Sequence, residues 1–222
     1  MVKIVVFDLD GTLVDSLVDL AQSVNKALVK VGIEPHPVEK YNHFVGNGRE
    51  VLIRSAMGKY AEDAELFKIV MDTFNSDYAI HCNDNTKDYV GCKDLLDNLS
   101  KKGIMTAVLS NKPDEFVGDI IKKIYPQHKF TQAWGQKKEY KPKPNGEALI
   151  AMLDMYSISR DECIYVGDSD VDVFTAKNAG VKMAGVAWGF RGYDELIEAG
   201  ADFVANDAVE LYEYIMRFYE QD

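Results

Sequence analysis

The sequence predicts an α/β fold: a doubly wound, Rossmann-like parallel-sheet core carrying an inserted all-helical cap. Three observations lead there. An apolar run at residues 5–7, VVF, stops abruptly at Asp8 and Asp10, with one leucine between them. From about residue 91, short apolar runs alternate with helical patterns, the order expected of a parallel sheet. Between residues 15 and 84 no convincing strand occurs, and apolar residues recur at helical spacing instead. The core is therefore assigned to residues 1–14 and 85–222 and the cap to 15–84. Ligands of such sheets sit outside the carboxyl ends of the strands. A segment inserted after the first strand would hang over that edge like a lid.

Each element follows from local pattern. Leu17, Leu20, Ala21, Val24, Ala27, Leu28 and Val31 recur at helical spacing, with Ser16 placed to cap the start and Gly32 to end it. Residues 49–57 and 62–78 repeat the helical pattern, the second with Leu66, Phe67, Val70, Met71, Phe74 and Tyr78. The N/D-rich run CNDNTKDY at 82–89 reads as the linker returning to the sheet. A helix is expected over 91–102, then the strand IMTAVLS, a helix over 114–124, a weaker strand near 130 and a helix from Pro144. The strand CIYVG, a helix from about 171, the strand VKMAGVA, a short helix, ADFVA and a terminal helix complete the chain.

Composition narrows the function classes. At 222 residues and 47% hydrophobic content the chain can bury a substantial core. A net charge of −11 repels a nucleic-acid backbone or an anionic membrane surface, so neither is expected as partner. Cys82, Cys92 and Cys163 are widely spaced and form no C-x-x-C pair, which fits reduced thiols rather than a disulfide framework or a zinc site. Met1 stands two residues from a strand, leaving no room for a signal peptide, and no apolar run approaches a membrane span. The expected location is the cytoplasm.

Four segments place polar groups at strand ends: Asp8 with Asp10, Ser110 with Asn111, Lys141 in YKPKP, and Asp168 with Asp172 in VGDSDVD. Singly, each has an ordinary structural reading. Aspartates after a strand form turns or caps, Ser110 suits a helix N-cap with Pro113 in the first turn, and Lys141 suits a solvated surface. Jointly they suit displacement at phosphorus. Clustered carboxylates repel one another unless a divalent cation is present, and hard oxygen ligands suit Mg²⁺. A carboxylate can attack a phosphoryl group to give an aspartyl-phosphate, while a lysine and hydroxyl or amide donors hold the non-bridging oxygens. A second acid, for which Asp10 faces the same edge, would protonate the leaving oxygen and later deprotonate water.

DLDGT, the Ser110 strand end, a lysine before a proline and GDSDVD occur in the order seen in the haloacid dehalogenase-like superfamily, which the chain resembles over essentially its whole length. DGTLVDS, VGNG, KPxP and VGDSxxD are most similar to its phosphoglycolate phosphatase-like branch. The resemblance implies Asp8 as nucleophile and Asp10 as general acid and base. It implies Mg²⁺ held by Asp8, the backbone carbonyl of Asp10 and Asp168, with Asp172 ligating or orienting. Ser110 and the Asn111 amide would bind phosphoryl oxygens, and Lys141, preferred to Lys143 because it precedes the first proline, would neutralise Asp8 and the phosphate. Members that displace halide need no acid at the position of Asp10; this chain has one.

In the cap, VGNGRE at 45–50 reads either as a glycine turn into a helix or as a loop presenting Asn47 and Arg49 to the leaving group, where a guanidinium could clamp a carboxylate or second phosphate. Arg191 in WGFRGY, after the strand VKMAGVA, reads either as an exposed loop charge, the reading preferred, or as a group approaching the same mouth, and His36, His43, His81 and His128 lack an adjacent acid partner. Trp134, Trp188 and the cap aromatics read as core. Residues 12–18 and 81–88 are the crossings and so the candidate hinges. The expected ligand is a small phosphorylated metabolite, phosphoglycolate first, for a monomer or homodimer. Inorganic pyrophosphatase, nucleotidase and sugar-phosphate mutase are the alternatives within the superfamily; a signalling phosphoacceptor domain is the alternative outside catalysis.

Overall fold

The computed structural model describes residues 1–219. β1 (Ile4–Phe7) forms from four residues of high strand propensity, and their alternation divides the interior: Ile4 and Val6 enter one apolar cluster, Val5 and Phe7 the other. β2 (Val14–Asp15) leads into α1 (Leu17–Lys30). After a 3-10 turn at Val38–His43 come α2 (Arg49–Met57) and α3 (Ala64–His81). β3 (Lys87–Asp88) returns the chain, followed by α4 (Cys92–Lys101), β4 (Met105–Pro113), α5 (Asp114–Ile124) and β5 (Gln132–Gln136). The remainder is α6 (Glu147–Met155), β6 (Cys163–Gly167), α7 (Asp170–Ala179), β7 (Lys182–Val186), α8 (Tyr193–Ala199), β8 (Phe203–Ala205) and α9 (Ala208–Tyr219).

Six of these strands form one parallel sheet in the order β5-β4-β1-β6-β7-β8. Residues of α4, α5 and α9 pack on one face, and residues of α6, α7 and α8 on the other. The order reverses about β1, which is where a doubly wound sheet opens a crevice. Register then aligns the strand ends. Phe7 lies opposite Val108 on one side and Val166 on the other, so Asp8, the Leu109–Ser110 end of β4 and the Gly167–Asp168 turn emerge together at one edge.

The helical segment leaves and rejoins the sheet through a two-stranded antiparallel ribbon, with Val14 opposite Asp88 and Asp15 opposite Lys87. Two-residue strands carry no periodic signal, so the sequence shows only linkers there. Next to the ribbon, the carboxylate of Asp19 in α1 is buried and accepts from the backbone N–H groups of Asn85 (2.9 Å) and Thr86 (2.8 Å) and from the Thr86 hydroxyl (2.6 Å). Asp19 thus fastens one crossing to the other.

Several boundaries shift for identifiable reasons. β4 continues past the IMTAVLS segment to Pro113, because Pro113 still registers against Gln136 of β5, so Ser110 is a strand residue and not a helix cap. Ser16 occupies the N-cap position of α1 without making a side-chain cap bond; its hydroxyl donates instead to Asp10 Oδ1 at 2.5 Å. The helix placed from Pro144 starts at Glu147, and the strand placed near 130 starts at Gln132.

Candidate active site

Asp8, Asp168 and Asp172 converge at the carboxyl edge of the sheet, all buried, with one carboxylate oxygen from each lying within 4.8 Å of the others. Backbone fixes the approach: Asp8 donates its N–H to the Val166 carbonyl at 2.8 Å, tying the end of β1 to β6. Two glycines allow it. A Cβ on Gly11, whose φ is +86°, would fall 2.3 Å from Asp168 Oδ2, and one on Gly189 would fall 2.2 Å from Asp168 Cβ. Asp168 is oriented by the Phe190 N–H, which donates to Oδ2 at 2.8 Å, and by the Thr12 hydroxyl at 3.3 Å from Oδ1.

The lysine in this cluster is Lys143. Its ammonium lies 2.9 Å from Asp8 Oδ1 and 2.7 Å from Asp172 Oδ1, whereas Lys141 is exposed. The reason is the Asn111 side chain, whose Oδ1 accepts the Lys143 N–H at 2.8 Å and whose Nδ2 donates to the Lys143 carbonyl at 3.0 Å. That bracket pins residue 143 beneath the end of β4 and aims its side chain inward; residue 141 has no such tether. Preferring the lysine before the first proline therefore chose the wrong one of two.

Asp172 is occupied on both oxygens. Oδ1 accepts from Lys143 and from the Tyr165 hydroxyl (3.2 Å), and Oδ2 accepts from the Ser169 hydroxyl (2.7 Å) and N–H (3.2 Å), completing the capping box of α7. It therefore orients Lys143. Asp8 differs: its Oδ1 is buried with no hydrogen-bond partner among the described residues, despite the nearby lysine charge. Burial, then the Asp172 charge against the opposing pull of Lys143, pushes the Asp8 carboxyl up to about 7. Burial, then Asp172 and Asp8, pushes Asp168 well above the usual carboxylate range. Burial alone would lower Lys143, but Asp172 and Asp8 outweigh it and hold the ammonium protonated. Three carboxylates against one ammonium leave this pocket short of positive charge, and the carboxylate of Asp8, with only Lys143 against its buried Oδ1, beside Asp168 is the donor set a hard divalent cation fits.

Asp10 sits apart from this cluster, paired with Lys112 at 3.0 and 3.1 Å and with the Ser16 hydroxyl. Lys112 and its second partner, Tyr78 of α3, escape sequence reading: Lys112 resembles any polar residue after a strand, and Tyr78 resembles the other apolar positions of its helix. Ser110 is buried, lines the cleft beside Asp8 and accepts the Lys112 N–H on Oγ at 3.2 Å.

The cleft runs from Asp8 and Asp10 to the helical segment, walled by Leu20, Val45, Leu52, Phe74 and Phe116. Arg49 reaches its rim, one guanidinium nitrogen donating to Asn75 Oδ1 at 3.0 Å and lying 3.5 Å from Glu115. Asn47 does not line it and is exposed. The VGNG loop meets the core by backbone instead: Asn111 Nδ2 donates to the Gly46 carbonyl at 2.9 Å. Arg191, for which an exposed position is the preferred of two readings, has a side chain only 9% exposed and donates to the Val45 carbonyl at 3.2 Å, with His43 Nδ1 2.8 Å from the guanidinium. His81 does have an acid partner, Asp84, 2.7 Å away. Trp188 donates its indole N–H to the Thr12 carbonyl at 3.0 Å, so it braces the loop that carries Gly11.

Known proteins share this organisation. A phosphoglycolate phosphatase of Pseudomonas putida is 35% identical over 193 residues, 85% of this chain and 71% of its own length. One from Vibrio parahaemolyticus is 31% identical and covered over 96% of each chain. A crystal structure from Lactobacillus delbrueckii subsp. bulgaricus, provisionally assigned as a phosphoglycolate phosphatase, superimposes with a TM-score of 0.91 at 31% identity over 96% of this chain and 98% of its own. Residues 5–186 match the family model described as haloacid dehalogenase-like hydrolase. With the parallel sheet and the clustered strand-end carboxylates already in view, that match over most of its length makes this chain a member of the haloacid dehalogenase-like hydrolases.

Proposed function

We propose that this chain is a Mg²⁺-dependent phosphatase that hydrolyses a small phosphomonoester through an aspartyl-phosphate on Asp8, with phosphoglycolate as the first candidate substrate. The observation that carries the reading is the buried Oδ1 of Asp8 at the mouth of the cleft, whose one cationic neighbour among the described residues is the Lys143 ammonium at 2.9 Å, with Asp10 across the edge. Asp8, Asp168 and the backbone carbonyl of Asp10 would hold Mg²⁺, which supplies the positive charge needed to bring an anionic phosphoryl group to an anionic nucleophile.

The chain's own groups account for the remaining work. Asp8 attacks phosphorus while Asp10 gives a proton to the departing oxygen; Asp10 then takes a proton from the water that releases phosphate and frees Asp8. Ser110 and the Asn111 N–H would hold phosphoryl oxygens, and Lys143 would neutralise them, being fixed for that by Asn111 and Asp172. The apolar walls exclude water from the first half-reaction. Arg49 at the rim has guanidinium donors without a hydrogen-bond partner among the described residues, and a glycolate carboxylate would suit them. The names of the P. putida and V. parahaemolyticus relatives support the same substrate.

Among the described residues no helix is long and apolar enough to cross a membrane, and a cytoplasmic metabolite phosphatase is the reading we carry forward. The test is phosphate release from phosphoglycolate, pyrophosphate, nucleoside monophosphates and sugar phosphates, with Mg²⁺ and with chelator, using Asp8→Asn as blank. Multiple turnovers that need Mg²⁺ and favour phosphoglycolate are expected. A stoichiometric phosphoprotein without turnover would assign a phosphoacceptor, and preference for another compound would reassign the substrate.

A further inference from the structure

Lys112 is a buried cation that the reaction as described above leaves without a task. Its side chain is 2% exposed, and its ammonium has three acceptors for its three N–H donors: Asp10 Oδ1 at 3.0 Å, Asp10 Oδ2 at 3.1 Å and the Tyr78 hydroxyl at 2.6 Å. With those donors engaged, none remains for a substrate oxygen, so a phosphate-binding role does not fit. The two partners come from different parts of the molecule. Asp10 stands at the end of β1, while Tyr78 stands on α3, stacked on Phe74 with ring centroids 5.2 Å apart and set edge-on against Phe116 of α5, also at 5.2 Å. The ring is therefore held on both sides, and its hydroxyl is delivered to a fixed point over the sheet edge.

We propose that Lys112 is a positioning residue: clamped between the Asp10 carboxylate and the Tyr78 hydroxyl, it fixes the orientation of Asp10 for proton transfer and makes that orientation depend on the seating of the helical cap. The inference rests on the phosphatase reading. Asp10 can turn about its side-chain torsions, and among the described residues the only other side chain that grips it is Ser16, from the crossing next to α1. The ammonium grips both oxygens and so sets the plane of the carboxylate. Tyr78 in turn gives the ammonium a third anchor, without which a buried N–H would be left unpaired and free to re-aim the lysine.

The test separates proton transfer from mere packing by varying the leaving group. Tyr78→Phe keeps the ring between Phe74 and Phe116 and removes only the hydroxyl; Lys112→Met removes the clamp and Lys112→Arg keeps a charge there. The readout is kcat/KM, which reports steps through departure of the alcohol, for an alkyl phosphate and for p-nitrophenyl phosphate with Mg²⁺ present. An alkoxide needs a proton to leave and a nitrophenolate does not. In Tyr78→Phe, kcat/KM for the alkyl phosphate should fall about tenfold or more while the aryl ester falls by less than about threefold. Lys112→Met should widen that gap and Lys112→Arg should narrow it. Equal losses on both esters, or no loss in Tyr78→Phe, overturn the positioning role. A wild-type chain that releases phosphate from neither ester nor from the metabolite panel overturns the phosphatase reading itself, a result distinct from an active wild type with an indifferent Tyr78→Phe.

Discussion

At the sheet edge, the clustered polar residues are held redundantly: Asp168 by Phe190 and Thr12, Lys143 by Asn111, Asp172 and Tyr165, Asp172 by both its oxygens. On the cap side, the cleft is reached through few and separate contacts: Tyr78 to Lys112, Gly46 to Asn111, Arg191 to the Val45 carbonyl. The first arrangement is rigid because strand register and backbone bonds place Asp8, and short side-chain bonds then fix Lys143 and Asp172 from more than one direction. The second can be made and broken without disturbing the sheet, which is what admission of substrate to a covered cleft requires. On the proposed reading, specificity and chemistry thus occupy parts of the molecule with different mechanical character.

The largest expected effect tests the rigid half. Asp8→Asn should lower phosphate release by about a thousandfold or more, while its melting temperature stays at or above that of the wild type. Removing one charge from a buried cluster that already pushes the Asp8 carboxyl up to about 7 relieves repulsion. A variant that melts markedly lower would show that the cluster is held by the Asp8 charge and not by register.

Next comes the pair of lysines. Lys143→Met should destabilise the fold by about 3–5 kcal/mol, since it strands the buried Asp172 carboxylate, and should abolish turnover. Lys141→Met, at an exposed position, should change stability by no more than about 0.5 kcal/mol. Denaturant unfolding of both variants measures this, and the reverse order would restore Lys141 to the site.

Asp19→Ala probes the joint between the two halves. It leaves the buried N–H of Thr86 unmatched, while the Thr86 hydroxyl keeps the Cys82 carbonyl, and should cost about 1–3 kcal/mol, with faster amide exchange at Asn85 and Thr86 than in the sheet. Unchanged exchange there would mean that the ribbon of β2 and β3 alone fixes the crossing.

The smallest effect lies far from the cleft, at the other end of β1 and β6. Glu162 is held down to about 2 by its ion pair with Lys3, 2.6 Å away, and by the Ser159 N–H and hydroxyl. Its stabilisation is complete above the ordinary value of 4.5 and is lost as pH falls toward about 2. Lys3→Met should flatten the fall of the melting temperature across that window, leaving neutral pH nearly unaffected, because both side chains are solvent-accessible. An identical acid profile would remove Glu162 from the account.

How much of this is legible in the sequence depends on the range of the interaction. β6 and α5 fall at the residues their local patterns mark, because strand runs and amphipathic spacing are local properties. Asp8, Asp168 and Asp172 are legible for a similar reason: each follows or closely follows an apolar strand, and a parallel sheet brings such ends to one edge. Lys141 against Lys143 is not, since both flank the same proline and the choice is made by Asn111, 32 residues away. Arg191 reads as a surface charge until the fold brings Val45, 146 residues distant, against it.

The sequence by itself determined the sheet, the inserted helices and the convergence of carboxylates, since all of these rest on hydrophobic periodicity and on where apolar runs stop. Tertiary structure alone decided which lysine faces Asp8, that Asp172 pairs with that lysine, and that Lys112 joins Asp10 to Tyr78. Those outcomes depend on distances of a few ångströms between side chains remote in sequence, where burial makes every unpaired charge or donor costly and so selects one partner among several of identical local appearance.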